Sequence, residues 1–477
     1  TTTVSNNSVA ISPSSPTPND DLIANINTNC VDVSSNDWRL NGTSIAPLNF
    51  PFNTSGTSGL TSKSTNPEVL SISGASPITS QGISGKCFEF TSQGALEANI
   101  STLSPSNGIS ISVWTYTYNQ SSNFRRWVSL NSSSGTELLL RKSFTNSVEA
   151  VVWAGGSTNY PNDFILESGQ VQNEAWEHWV LTYDNNNTMI LYKNGDEEIF
   201  STTTIGQGIN DITQIKINTN STEWYNGKLD EVMVFDRVLT PEQATALYNS
   251  GDPDYEKIVK EETNCGETWT LNSTPYNHIG DEGIATLSSS VSIPAVSIST
   301  QPSSGADVCL GTTASTMTVV ASSGSGNYTY QWYTCDSDGS NPVIISGETN
   351  ASFTPPTSSP GTIYYIVTVT DQDANCGSET SNVVSQTVDE SITVDAGGDQ
   401  TVCGNVVVNI TGTIAGGAST GTWSARILDA NVNLSGNGLG KNLVVKKNGS
   451  TVVNLTGTSS TQSWSVNGLV PGDYVQW

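Results

Sequence analysis

Short runs in which apolar and polar residues alternate cover much of the chain, separated by clusters of Gly, Asn and Ser. Residues 109–114, 179–184 and 189–193 show the period of two that is typical of strands with one buried face. The dipeptide Asn194-Gly195 after the third run predicts a hairpin turn, because both residues tolerate a positive φ. This pattern predicts an all-β protein.

The sequence contains one convincing helix signal, close to residue 240. Thr240 has an N-capping side chain, Pro241 suits the first helical position, and Gly251 suits the end of a helix. Many strands followed by one late helix predict a β-sandwich or jelly roll for this part of the chain.

A chain of 477 residues is long enough for several domains. In the second half, Trp332 lies in an alternating run and is predicted to be the buried aromatic of an immunoglobulin-like (Ig-like) sandwich. Changes in composition divide the chain into a linker or edge segment (1–29), a first sandwich (30–255), a connector with a few strands (256–301), a second sandwich (302–390) and a third (391–477). We expect the third to be incomplete at its C-terminus, as part of a larger parent polypeptide.

Charge narrows the range of partners. The chain has 17 Lys and Arg against 44 Asp and Glu, a net charge of −27, which argues against nucleic acid because phosphate binding needs clustered cations. A run of about 18 apolar residues is absent, so we expect no membrane-spanning segment. Seven widely spaced cysteines without a CxxC pair favour an oxidising, extracellular setting.

Residues 85–250 resemble the laminin-G-like (concanavalin A-like) jelly-roll family. The resemblance is carried by Gly-Lys-Cys-Phe-Glu-Phe at 85–90, Trp-Val-Leu-Thr-Tyr-Asp at 179–184 and, above all, the segment 225–240 around Gly-Lys-Leu-Asp-Glu-Val. It implies a concanavalin A-like jelly-roll sandwich that contacts carbohydrate.

Residues 302–477 resemble the Ig-like and PKD-like repeats of Bacteroidetes surface proteins, through the segments 307–311, 330–333 and 396–404. Together with the jelly roll, they are similar to gliding-motility adhesins of the SprB kind, which the type IX pathway exports. The resemblance implies a cell-surface location and a disulfide between Cys309 and Cys376. Strand topology leaves a second pairing open, in which Cys309 joins Cys335.

Catalytic and metal-binding patterns are weak. Glycoside hydrolysis needs two carboxylates flanking the bond, but Asp230 and Glu231 are adjacent and point to opposite faces of a strand. We expect one to cap a turn and the other to pair with a cation such as Arg237. The acidic run 336–341 is interpreted as a turn. We therefore assign no catalytic residue, no metal ligand and no cofactor, and leave Ca²⁺ open.

Aromatic residues beside Gly and Asn in loops are the candidate ligand contacts, because sugar rings stack on aromatic side chains and amides bind their hydroxyls. The alternative is that these rings pack over their own loops. The candidates are Trp153, Asn159, Tyr160, Trp224, Tyr225 and Asn226.

These observations favour a non-enzymatic, extracellular adhesin, in which a lectin-like head binds a surface polysaccharide or glycoconjugate and Ig-like sandwiches form a stalk. Two alternatives stay open. The chain could consist of structural spacer repeats of a giant surface protein, or it could be the ancillary carbohydrate-binding module of a secreted polysaccharide-degrading enzyme.

Overall fold

A computed structural model describes residues 4–390 apart from short gaps, together with eight strands between 393 and 476. The gaps are residues 30–32, 54–59, 84, 106, 120–122, 154–163, 185–187, 203–208, 210, 220, 250–254, 278 and 373–375. The chain divides into two compact units. The first comprises residues 1–297, 322–328 and 370–378, and the second comprises 298–321, 329–369 and 379–477.

Strands dominate the part of the chain that the structure describes. Up to residue 249 the elements are β1 (Ser5–Ser12), β2 (Leu22–Asn29), β3 (Val33–Leu40), β4 (Thr43–Ser44), β5 (Leu48–Phe50), β6 (Ser71–Gly74), β7 (Ile78–Gln81), β8 (Lys86–Phe90), β9 (Gly94–Leu103), β10 (Ile109–Thr117), β11 (Arg125–Ser132), β12 (Glu137–Lys142), β13 (Ser147–Trp153), β14 (Phe164–Gln170), β15 (Trp176–Tyr183), β16 (Thr188–Lys193), β17 (Asp196–Thr202), β18 (Ile212–Thr219), β19 (Gly227–Phe235) and helix α1 (Pro241–Asn249). They are followed by β20 (Lys257–Ile258), a 3-10 turn (Lys260–Glu262), β21 (Thr268–Tyr276), β22 (Thr286–Leu287), β23 (Val291–Ser292) and β24 (Ser297–Thr300).

Two large sheets form the sandwich of the first unit. One has seven strands in the order β14-β13-β12-β11-β18-β9-β6, and the other has eight, in the order β17-β16-β15-β10-β19-β8-β7 with β5 on β19. Alternate residues of each sheet, such as Ile111 and Leu181 in one and Leu140 in the other, are fully buried in a shared core. The predicted all-β fold with a jelly-roll sandwich is thus confirmed.

The local predictions in this region are confirmed as well. Asn194 and Gly195 have φ values of 52° and 85°, as a tight hairpin between β16 and β17 requires. The backbone N–H of Gln243 donates to Thr240 Oγ1 at 3.2 Å, which caps helix α1.

A third layer covers the outer face of the eight-stranded sheet. The sequence predicts a linker or edge segment for 1–29 and a connector for 256–301, but both contribute to this layer: β2 pairs with β1 on one side and with β20 on the other, and β21 pairs with the whole length of β3. The reason is burial, since Trp38 and Trp269 are fully buried in a second apolar core that also contains Phe235 and Tyr192.

The second unit has small sheets. The strands from residue 308 to 389 are β25 (Val308–Cys309), β26 (Met317–Thr318), β27 (Val320–Ser322), β28 (Tyr328–Cys335), β29 (Val343–Ile344), β30 (Ser352–Phe353), β31 (Gly361–Asp371), β32 (Ser378–Thr380) and β33 (Val384–Asp389). The later strands are β34 (Thr393–Asp395), β35 (Thr413–Ala415), β36 (Ser424–Arg426), β37 (Val432–Asn437), β38 (Lys441–Lys447), β39 (Ser450–Gly457), β40 (Thr461–Val466) and β41 (Tyr474–Gln476).

Trp332 on β28 is fully buried, with its ring 5.2 Å from that of Phe353, so the prediction for this residue is confirmed. The Ig-like and PKD-like assignments of residues 302–477 stay predictions. Within the described residues, the structure contains no helix that is long and apolar enough to cross a membrane.

Candidate functional site

Two adjacent arginines at the start of β11 organise the candidate site. The hairpin between β11 and β12 closes at Gly135, whose φ is 84°, and the resulting register places Arg125 opposite Lys142 and Arg126 opposite Arg141. Four of the chain's 17 cations therefore form two cross-strand pairs, Arg125 with Lys142 on one face of the sheet and Arg126 with Arg141 on the other. Like charges in such positions repel each other, so both pairs need compensating contacts.

Trp153 at the end of β13 supplies one of these contacts. Its ring centroid lies 4.9 Å from Cζ of Arg126 and 5.2 Å from Cζ of Arg141, distances at which guanidinium groups are attracted to an indole. Leu139 and Val151 are paired on the same outer face and are fully buried. The Trp153 side chain is half-buried on this face and packs against the two guanidinium groups.

Trp224 reaches the same end of β11 from the segment between β18 and β19. Its ring centroid lies 5.9 Å from Cζ of Arg125, and Arg125 Nη1 donates to the carbonyl oxygens of Thr222 and Trp224 at 3.1 and 3.0 Å. The backbone N–H of Arg126 donates to the carbonyl oxygen of Glu223 at 3.0 Å. We call Arg125, Arg126, Arg141, Trp153 and Trp224 the arginine–tryptophan site.

Carboxylates neutralise this site. Arg126 pairs with Glu137 at 2.6 Å and with Glu223 at 2.7 Å, while Arg141 pairs with Glu149 at 2.7 Å. Burial raises the pKa of Glu149, although the neighbouring Arg141 opposes that shift. The site therefore offers fixed hydrogen-bonding groups around two aromatic rings without a large excess of charge.

The predicted ligand-contact residues differ in their exposure to solvent. Trp153, Trp224 and Asn226 are half-buried, whereas Asn159 and Tyr160 lie outside the described residues. The prediction for Tyr225 is wrong, because its side chain is fully buried. Its hydroxyl is 3.0 Å from Thr117 Oγ1 and its ring packs against Trp127, so it serves the core between the sheets.

The predicted disulfide is also wrong. Cys376 is bonded to Cys265, with Cα atoms 4.7 Å apart, and both belong to the first unit. Cys309 is an exposed free thiol, and the alternative partner Cys335 is also reduced. The physical reason lies in the segment 370–378, where the carbonyl oxygen of Cys376 accepts the N–H of Val296 at 3.4 Å and so lies beside residues of the first unit.

The acidic pair on β19 has a structural role. Asp230 Oδ2 accepts the backbone N–H of Ile83 at 3.0 Å, which confirms that one of the two carboxylates caps a turn. Glu231 Oε1 accepts a hydrogen bond from the Asn53 side chain at 3.2 Å. The suggested cation, Arg237, instead pairs with Glu262 at 2.7 Å.

A serine–histidine pair lies on the outer face of the eight-stranded sheet. Ser112 Oγ is 2.8 Å from His178 Nε2, the spacing of a nucleophile and its base. Both side chains are buried, with exposures of 2% and 1%, beneath the rings of Trp114 and Tyr248. A substrate has no path to this pair in the packed structure.

The acidic run 336–341 forms the expected turn. Ser340 Oγ donates to Asp338 at 2.6 Å, and the Asn341 side chain donates to Asp336 at 2.8 Å. Within the described ranges, no group of three acidic, histidine or cysteine side chains is arranged to hold a metal ion. The Ca²⁺ that the sequence leaves open stays untested.

Sequence reasoning missed the arginines of the site. The signal was present as two basic dipeptides, at 125–126 and 141–142, in a strongly acidic chain. Only the hairpin register shows that these dipeptides face each other and that Trp153 and Trp224 both lie against them.

Comparison with protein families gives two matches. Residues 90–245 match the laminin G family model described as the concanavalin A-like lectin/glucanases superfamily. Residues 298–390 match the model of a domain of unknown function, DUF8696. The first unit thus contains a concanavalin A-like lectin/glucanase-type domain, which agrees with its two-sheet sandwich.

Comparison with solved structures gives similarities at low sequence identity. The chain is similar to domain 4 of AbnA, an extracellular arabinanase from Geobacillus stearothermophilus in complex with arabinotriose, at 16% identity and a TM-score of 0.33, over 45% of this chain and 100% of that one. It is similar to a SAP-like pentraxin from Limulus polyphemus at 14% identity and a TM-score of 0.27, over 32% of this chain and 75% of the pentraxin chain. For the receptor binding domain of botulinum neurotoxin C/D mosaic serotype, the identity is 11% and the TM-score 0.35, over 74% of each chain. The search of curated proteins found no match.

Proposed function

We propose that the chain is an extracellular glycan-binding protein whose arginine–tryptophan site contacts a surface polysaccharide or glycoconjugate. The observation that carries the proposal is that Trp224 lies against Arg125 and Trp153 against the adjacent Arg126, although the two tryptophans are 71 residues apart in the sequence. The match of residues 90–245 to a lectin/glucanase superfamily supports the same class of ligand.

The chemistry of the site suits sugars. The C–H faces of a sugar ring stack on an indole, and hydroxyl groups exchange hydrogen bonds with carboxylates and guanidinium groups. Arg126 is held by Glu137 and Glu223, so it is ordered before a ligand arrives and loses little side-chain entropy on binding. Internal pairing of the charges favours a neutral glycan over a strongly charged one.

The proposal extends to the whole chain as a surface adhesin, with the second unit as a stalk. The disulfide Cys265–Cys376 fits an oxidising, extracellular compartment. A role in gliding motility rests on the resemblance of the repeats alone. The proposal assigns no catalytic step to this chain.

A glycan array with the full chain tests the proposal. We expect the wild type to bind a defined glycan class and Trp224→Ala to weaken that binding about fivefold or more, because a stacked ring contributes roughly 1 kcal/mol. Trp153→Ala should have a similar effect. Tyr330→Ala on β28 of the second unit removes a half-buried aromatic far from the site in sequence and serves as the matched control. Absence of wild-type binding, or binding as strong as that of the wild type by both tryptophan variants, contradicts the proposal.

A further inference from the structure

A second group of aromatic residues lies on the outer face of the eight-stranded sheet. The register places Trp176 of β15, Tyr116 of β10, Lys228 of β19 and Glu89 of β8 in one row across four neighbouring strands. Tyr118, just beyond β10, donates its hydroxyl to Glu89 Oε1 at 2.7 Å. We call these five residues the Tyr116 cluster.

The Tyr116 cluster is more exposed than the neighbouring row of side chains on the same face. One row further along the strands, Trp114 is only 5% exposed and His178 only 1%, because Tyr248 of helix α1 packs on both rings. Trp176 and Tyr116 lie beyond this cover and are half-buried. Tyr248 therefore covers the row of Trp114 and His178, and the row of the cluster is the more exposed of the two.

The ring geometry leaves room for a ligand to stack. Tyr116 meets Trp176 and Tyr118 edge-on, with centroid separations of 5.6 and 5.7 Å and interplanar angles of 64° and 78°. In an edge-to-face contact the edge of one ring covers one face of the other, so each of these contacts leaves the remaining ring faces uncovered. Lys228 Nζ lies 5.3 Å from the Tyr116 centroid and Glu89 lies beside it in the register, which places polar groups next to the rings.

The Tyr116 cluster is continuous with the arginine–tryptophan site. The backbone N–H of Tyr118 donates to the carbonyl oxygen of Asn226 at 3.3 Å, and Asn226 is two residues from Trp224 and two from Lys228. At about 3.3 Å per extended residue, Trp224 and Lys228 can be no more than ~13 Å apart along the chain. One ligand that extends over several sugar rings can span both places.

We infer that the glycan site continues from Trp224 around the end of the sandwich to the Tyr116 cluster, and that its ligand is an extended, uncharged polysaccharide chain rather than a single terminal sugar. This inference rests on the proposed function of the arginine–tryptophan site. A chain that engages both places gains avidity, because the second contact is made at high effective concentration. The side-by-side Lys228 and Glu89 cancel in charge, which suits a neutral polymer.

Affinity electrophoresis of the full chain tests the inference, with arabinan, xylan, mannan, laminarin and dextran as the polysaccharides in the gel. We expect at least one to retard the wild type, and Trp176→Ala to weaken that interaction about fivefold, as expected for one lost stacked ring. Lys228→Gln is a second variant with little risk of unfolding and should also weaken binding. Trp176→Phe should restore part of the affinity, and Tyr330→Ala should leave it unchanged.

The outcomes separate the two proposals. Weaker retardation of Trp176→Ala and Lys228→Gln, with unchanged melting temperatures, supports the inference. If Trp224→Ala loses retardation while Trp176→Ala and Lys228→Gln match the wild type, the inference is wrong and the proposed function stands. If none of the five polysaccharides retards the wild type although the glycan array shows binding, the inference is wrong and the proposed function stands, whereas absence of binding in both assays contradicts both.

Discussion

Mild acid should destabilise the first unit through His178. The imidazole is 1% exposed, Nε2 contacts Ser112 Oγ at 2.8 Å, and Nδ1 has no hydrogen-bond partner among the described residues. Burial lowers the pKa of His178 to about 3, from an ordinary value of 6.5. The folded protein thus holds this residue neutral throughout the weakly acidic range.

The sign and size of the effect follow from linkage. Between pH 6.5 and 3 the unfolded chain binds a proton at this residue and the folded protein does not, so stability falls as the pH falls. Each pH unit in that window costs about 1.4 kcal/mol, and lowering the pH from 7 to 5 removes about 2 kcal/mol of unfolding free energy.

Urea unfolding of the full chain at pH 7 and pH 5, followed by tryptophan fluorescence, measures this difference. His178→Gln is the control, because glutamine keeps a hydrogen-bonding side chain but does not titrate. We expect the wild type to lose about 2 kcal/mol more than the variant between the two pH values. Equal losses would refute the conclusion that His178 is buried in its neutral form.

Two further predictions concern stability. Reducing the Cys265–Cys376 disulfide, which spans 111 residues, should lower the melting temperature of the first unit in calorimetry. The chain-entropy model sets an upper limit of about 5 kcal/mol on the loss of unfolding free energy. The control variant Cys309→Ser, which changes a free thiol, should have no effect. Deleting residues 256–297 removes Trp269 and four more buried apolar side chains from the second core. At about 1.5–3 kcal/mol each, this loss should abolish cooperative unfolding and cause aggregation, and a monomeric fragment with a sharp transition would contradict the layer's role.

Local patterns predicted local structure well. The period-two runs became β10, β15 and β16, and the helix begins at Pro241 as its capping residue indicates. These signals depend on neighbours in sequence, which is why they can be recognised without a structure.

Contacts between distant segments could not be predicted in the same way. The N-terminal strands and β21 have sparse hydrophobic patterns, and their role in the second core depends on Trp38 and Trp269 meeting across 231 residues. The disulfide likewise depends on where the segment 370–378 packs. The segment Asn226-Gly227 after Tyr225 is typical of an exposed loop, yet the Tyr225 side chain is buried between the sheets.

Isothermal titration is the most direct test of the claim that the arginine–tryptophan site binds glycan. The full chain would be titrated with the strongest glycan from the array, using the wild type and the Trp153→Ala/Trp224→Ala double variant. With about fivefold lost at each ring and independent effects, the double variant should bind at least about 25-fold more weakly, with an unchanged melting temperature. The same Kd for both proteins, or no heat of binding with the wild type, would contradict the account.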